Sequence, residues 1–209
     1  VQQQLLAVLA IEPVLALVAT ALVVMGSPGP STISVTALGS AFGLRRSLPY
    51  LAGVIIGTSA VLLAVAAGLA SVVLSKPRLA PLLLGLSALY ILYLAFAIAT
   101  APPLAETPPQ ASAPGFAGGL LLALANPKAY VAIGAVFAGT HLGLRSELVE
   151  TSVKTAVLLA LIVFIHLAWF AAGTAFAGLL RRPLISRIVN LVFASALVAT
   201  TLSSLRTLW

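Results

Sequence analysis

The chain has no cysteine and no aspartate, and its 209 residues include only four glutamates against eleven lysines and arginines. Without cysteine there can be no disulfide, thiolate metal site or cysteine nucleophile. Four glutamates and two histidines make a poor donor set, so neither a metal nor a cofactor is expected. Charged residues make up 7% of the chain, against about 25% in an ordinary soluble domain. That is too little charge to cover a water-facing surface. With 61% of residues hydrophobic, the composition calls for lipid as the outer solvent.

The net charge of +7 does not point to nucleic acid. The basic residues sit between apolar stretches, at Arg45 and Arg46, Lys76 and Arg78, Arg145, and Arg181, Arg182 and Arg187. They form no stripe, and basic residues at span ends are expected on topological grounds alone. The N-terminal segment has no positive leader region and no small-residue cleavage site, so it does not read as a cleaved signal. Val1 implies a non-Met start codon or a trimmed chain.

A spanning helix needs about 20 mostly apolar residues. Six segments qualify: 14–42, 48–74, 79–100, 115–140, 155–180 and 188–205. They are continuous rather than alternating, which predicts helices rather than barrel strands. The connections are short, apart from 101–114, which holds five prolines and Glu106. The chain also echoes itself. SPGPS (27–31) lies near the middle of the first segment and NPK (126–128) near the middle of the fourth, with Pro28 and Pro127 99 positions apart. Lys76-Pro77 precedes the third segment and Arg182-Pro183 the sixth. The expected architecture is therefore an all-α integral membrane protein forming one transport domain over 1–209. Its halves, about 1–100 and 114–209, are joined by a linker at 101–113. Three spans per half make the halves inverted repeats, each with a broken first helix. Paired interruptions of this kind point to a transporter binding site.

PGPS (28–31) with NPK (126–128) resembles the LysE/RhtB family of amino-acid exporters, and the number, order and spacing of the spans agree along the whole chain. The resemblance implies ion-driven, commonly proton-coupled export of amino acids or related small zwitterions across the cytoplasmic membrane of a prokaryote. The substrate-binding positions it implies are Pro28, Gly29, Pro30, Ser31, Asn126, Pro127 and Lys128. The chain departs from the family where many members carry acidic residues. Thr58 follows Gly57 in the second span, and His166 sits in the middle of the fifth.

The residues themselves support this reading. Lys128 lies about 18 Å of helix from either end of its span, too far to snorkel, and a central lysine costs roughly 2.5–3.5 kcal/mol. It must face protein or a wet cavity, either as a charge for substrate or coupling or as a structural donor to carbonyls freed by the opposite broken helix. Pro28 and Pro30 remove two amide donors, and Gly29 admits unusual backbone angles. The helix resuming near Ser31 would present amides to a carboxylate, and Asn126 offers both donor and acceptor. The expectation is that 28–31 and 126–128 converge around the α-amino and α-carboxylate groups of the substrate. The coupling candidates are His166, Thr58 and Lys128, with helix–helix glue the alternative for His166. Gly53 and Gly57 read as a close-packing motif. Tyr90, Tyr93, Trp169 and Trp209 read as packing or interfacial anchors.

Basic residues divide five to five between the two sides, with a slight edge to an outside N-terminus. The alternatives are a channel for small solutes or ions and, further off, an intramembrane enzyme pairing Ser27 with His166. No G-x-S-x-G or H-E-x-x-H occurs, and the chain is not expected to be an enzyme. Substrate identity, coupling ion and oligomeric state, homo-oligomers included, stay open at this level.

Overall fold

The computed structural model describes residues 2–68, 85, 89, 91–96, 98–100, 113–176 and 182–206. Among them there is helix and no strand. The helices are α1 (Gln2–Val24), α2 (Pro30–Phe42), α3 (Leu44–Ala66), α4 (Phe116–Ala125), α5 (Pro127–Gly139), α6 (Glu147–Phe176) and α7 (Pro183–Arg206). Helix α3 and the stretch Glu147–Ala175 of α6 are each long and apolar enough to cross a membrane, and the pair α4 and α5, bent by 59°, qualifies together. Ile11–Val24 and Pro183–Ala196 are shorter apolar helices. The 79–100 span is described only in part. Lys76, Pro77, Tyr90, Trp209 and linker residues 101–112 lie outside the described residues.

Both expected interruptions are real breaks, in slightly different places from those the motifs implied. The first apolar segment is two helices, with 25–29 between them. Pro30 opens α2 and Pro127 opens α5. Each takes the first helical position, where the missing N–H bonds nothing in any residue. By helix position, then, the partner of Pro127 is Pro30 rather than Pro28. Both restarted helices run 13 residues. The hydropathy edges also shift. Helix α6 begins at Glu147 rather than 155, because Glu147 and Glu150 occupy its first turn, where carboxylates favour the positive end of the helix dipole. Polar residues that suit a helix end were read as loop because they are not apolar.

Within a mainly apolar core the molecule buries many polar side chains, while it exposes many large apolar ones. Ser31, Thr32, Ser34, Thr36, Ser40, Ser47, Thr58, Asn126, His166 and Asn190 are buried. Large apolar side chains such as Leu15, Val23, Phe96, Leu148 and Leu184 are exposed. Water would penalise that outer surface and lipid does not. Helix α2 is the interior element, buried from Pro30 through Ala41. It runs against α6, where Gly39 meets Phe170 and Gly173 meets the Thr36 backbone. Gly43 alone links α2 to α3, with φ 77° and ψ 173°, a conformation that a side chain would strain.

Helices α3 and α4 pack backbone to backbone. A Cβ on Gly53 would strike the Phe116 carbonyl, one on Gly57 the Ala123 side chain, and one on Gly119 the Tyr50 carbonyl. The glycines of the second span therefore serve close packing, as their spacing implies. At the far end of α5, buried Lys154 donates to the Phe137 carbonyl (3.0 Å), lies 5.1 Å from the Phe137 ring centroid and pairs with Glu150 at 3.3 Å. These contacts tie α5 to the first turn of α6. Gly53→Leu is expected to cost more than about 2 kcal/mol and to lower the unfolding temperature in detergent by at least several degrees. Gly134→Ala, which enters open space, should be neutral or stabilising by up to about 1 kcal/mol. Thermal unfolding of the purified variants beside wild type checks both outcomes.

Candidate functional site

The first break takes the carbonyls of Gly26, Ser27 and Pro28 out of the helical ladder, and each of these oxygens has a donor, as does Gly29 O at the start of α2. Trp169 Nε1 donates to Gly26 O at 3.1 Å. Lys128 Nζ donates to Ser27 O at 2.6 Å, Ser27 Oγ at 2.8 Å and Pro28 O at 2.8 Å. Gly29 O accepts from Ile33 N at 2.8 Å and from Thr32 Oγ1 at 3.1 Å. One turn back, Ser27 Oγ donates to Val24 O at 2.8 Å. An ammonium has three N–H donors, and here all three are taken by the break. Lys128 thus makes the contacts of a structural donor, while its charge remains beside the cavity described below.

Gly29 is extended, at φ −167° and ψ 178°, an angle open to any residue. The expectation that it supplies special backbone freedom is therefore not met. What requires glycine here is space: a Cβ would lie 2.6 Å from Lys128 Cδ and 2.8 Å from its Nζ. The small residue lets the lysine lie against the break.

The second break is held by Asn126. Its Oδ1 accepts from Lys128 N at 3.1 Å, capping α5, while its Nδ2 donates to Ser31 Oγ at 2.9 Å in the other break. Tyr130 OH donates to Leu124 O at 2.9 Å. Two links therefore join the motifs, Asn126 to Ser31 and Lys128 to Ser27 and Pro28. The first helical bond of α2 is Ile33 N–H to Gly29 O, so the amides of Ser31 and Thr32 lie ahead of it. They form the positive end of a helix dipole.

Between the breaks lies a small, partly enclosed cavity. Of the expected site residues, Gly29, Ser31, Asn126 and Lys128 line it, together with Thr58 and His166. Pro28, Pro30 and Pro127 do not line it; they shape the breaks that place the others. Ser27 and Thr32 line it too. Adjacency to the proline motif could have flagged both, but chain position does not say which face of the turn they take. Trp169 was read as packing or anchoring, and nothing in the sequence marks its ring N–H as a cap for a carbonyl 143 residues away. His166 Nδ1 lies 2.8 Å from the Ile162 carbonyl, and its Nε2 has no hydrogen-bond partner. The serine–histidine pair of the enzyme alternative is thus not formed. Among the described residues there is no cluster that could hold a metal.

Lys128→Met removes three donors from oxygens that have left the helix and lie in a largely apolar setting. The expected loss is on the order of 1.5–3 kcal/mol. Lys128→Arg, which keeps donors, should retain more of the stability. Thermal unfolding of both variants in detergent separates the two cases.

Comparison with known proteins agrees with the motifs. The LysE type translocator family model matches residues 22–205. The chain is similar to the "Cysteine/O-acetylserine efflux protein" of Salmonella typhimurium, at 31% identity over 173 residues covering 82% of this chain and 87% of the relative. It is similar to the protein of the same name from Escherichia coli, at 32% identity over 173 residues with the same coverage. No solved structure matches. With its two proline-containing breaks meeting at one cavity and a family match over most of its length, the chain belongs to the LysE type translocators.

Proposed function

We propose that this protein is a secondary transporter that exports a small zwitterionic amino acid across the cytoplasmic membrane of a prokaryote. In this reading the chain is a multi-pass protein of six spans in two inverted halves, working by alternating access and driven by protons. One observation carries the proposal: both broken helices turn their polar ends to one cavity and are joined there by Asn126–Ser31 and Lys128–Ser27/Pro28 contacts. A polar site enclosed between two broken helices is the arrangement by which transporters hold a solute at mid-membrane. The amides of Ser31 and Thr32, with the Lys128 charge behind them, suit a carboxylate. The relatives are named for efflux of cysteine and O-acetylserine, both small amino acids with uncharged side chains, and we extend that class to this chain. Rocking of the halves would break and remake the same two links, leaving backbone oxygens briefly to water as the cavity changes sides. His166 is the titratable candidate for proton coupling, with Thr58 and Lys128 beside it.

Exporter-deficient bacterial cells loaded with cysteine- and serine-containing dipeptides provide the test. Wild type is expected to lower the internal pool of cysteine or O-acetylserine severalfold and Lys128→Ala to leave it near the control. If no amino-acid pool changes despite correct membrane expression, the exporter reading is wrong. A conductance far above carrier turnover would replace it with a channel.

A further inference from the structure

Two residues of the cavity lining each carry a buried polar atom with no hydrogen-bond partner. The atoms are Thr58 Oγ1 and His166 Nε2, and each residue is only 5% exposed. Leaving a buried polar group unpaired costs about 1–3 kcal/mol. The cost is avoidable for a hydroxyl, which can bond the carbonyl one helical turn back. Neighbouring Ser59 does so to Ile55 O, and Thr36 does so to Thr32 O, each at 2.8 Å. Thr58 does not.

The imidazole is equally specific. Its Nδ1 sits 2.8 Å from a carbonyl oxygen, which can only accept, so the ring proton is on Nδ1. In the neutral ring Nε2 is then a pure acceptor. Two residues of the cavity lining, one on α6 and one on α3, therefore carry an unused acceptor lone pair and an unused hydroxyl oxygen. The dipole end of α2 and the Lys128 ammonium supply the lining's positive groups. The rest of the lining is apolar, including Met25, Ile133, Ile162 and Ile165.

We propose that His166 Nε2 and Thr58 Oγ1 form the subsite for the substrate's α-ammonium, and that a proton competes with that ammonium for the Nε2 lone pair. The inference rests on the exporter reading and deepens it. The ammonium donates N–H to Nε2 and Oγ1 while the carboxylate faces the Ser31 and Thr32 amides. The apolar wall takes a small uncharged side chain, and Lys128 disfavours a cationic one. When a proton binds Nε2, the ring becomes a donor and a cation. It can then no longer accept from an ammonium, and it repels one. Proton and substrate thus exclude each other at one atom, which is the requirement for exchange of one against the other. Among the described residues, Lys128 is the only other charged side chain lining the cavity.

The test is equilibrium binding to the purified full-length protein in nanodiscs. The probes are L-cysteine under reductant and 3-mercaptopropionate, which lacks only the amine. Thr58→Val and His166→Leu are expected to weaken L-cysteine roughly tenfold each and to leave 3-mercaptopropionate within about twofold. Thr58→Ser and His166→Gln, which restore an oxygen acceptor, should recover much of the loss. Acidification that protonates the imidazole should lower wild-type affinity for L-cysteine severalfold. Affinity for 3-mercaptopropionate should hold or rise, and His166→Gln should flatten the L-cysteine dependence. Equal weakening of both probes, or unchanged L-cysteine binding in both apolar variants, overturns the subsite. Wild type binding neither L-cysteine nor any other small zwitterion overturns the exporter reading and the subsite with it. Wild-type binding that survives in the apolar variants overturns the subsite alone.

Discussion

Unwinding a helix among apolar neighbours strands carbonyl oxygens that water cannot reach, and each needs a donor from elsewhere in the fold. In this protein the need is concentrated between Gly26 and Gly29. It is met by groups distant in sequence, the Trp169 ring N–H and two of the three N–H bonds of Lys128, and by the first turn of α2 itself. Once Lys128 and Trp169 must reach these oxygens, α5 and α6 have little freedom to sit elsewhere. The glycine at 29 is then a steric consequence, leaving room for the lysine stem. The cavity forms where the two breaks meet because the elements that carry the donors converge there.

The same constraint explains how a central lysine is tolerated in a chain with so little opposite charge. Its cost is met by oriented backbone dipoles, with no carboxylate needed at the site. Lys128 and the start of α2 supply positive groups to the cavity lining. In the same lining, the oxygen of Thr58 and the Nε2 of His166 are buried and have no partner. The backbone accounting is complete at 26–29, and the unmet polarity lies on these two residues.

Much of the fold is legible in the sequence because lipid imposes simple rules. Scarce charge and long apolar runs give helices, and proline within a run gives a break. Glycines at four-residue spacing give close contact, as at Gly53 and Gly57. The edges were less legible, since Glu147 and Glu150 suit a helix start and yet look like loop. The pairing of Pro28 with Pro127 followed the motif spelling. Helix geometry pairs Pro30 with Pro127, because the proline that matters is the one at the first helical position.

What the sequence alone determined is the class of molecule, its two broken helices and the presence of Asn126 and Lys128, two polar residues, at one of the breaks. These follow from composition and from the cost of polar groups in hydrocarbon, which do not depend on how the helices are arranged. Tertiary structure decided which polar groups meet. It spends the donors of Lys128 on the opposite break, turns Trp169 into a cap, joins Asn126 to Ser31 and leaves a buried polar atom of Thr58 and one of His166 without a partner beside the cavity. A hydrogen bond is directional over about 3 Å, so residues 95 or 143 positions apart find each other only through the packing of whole helices. Spacing along the chain does not contain that information.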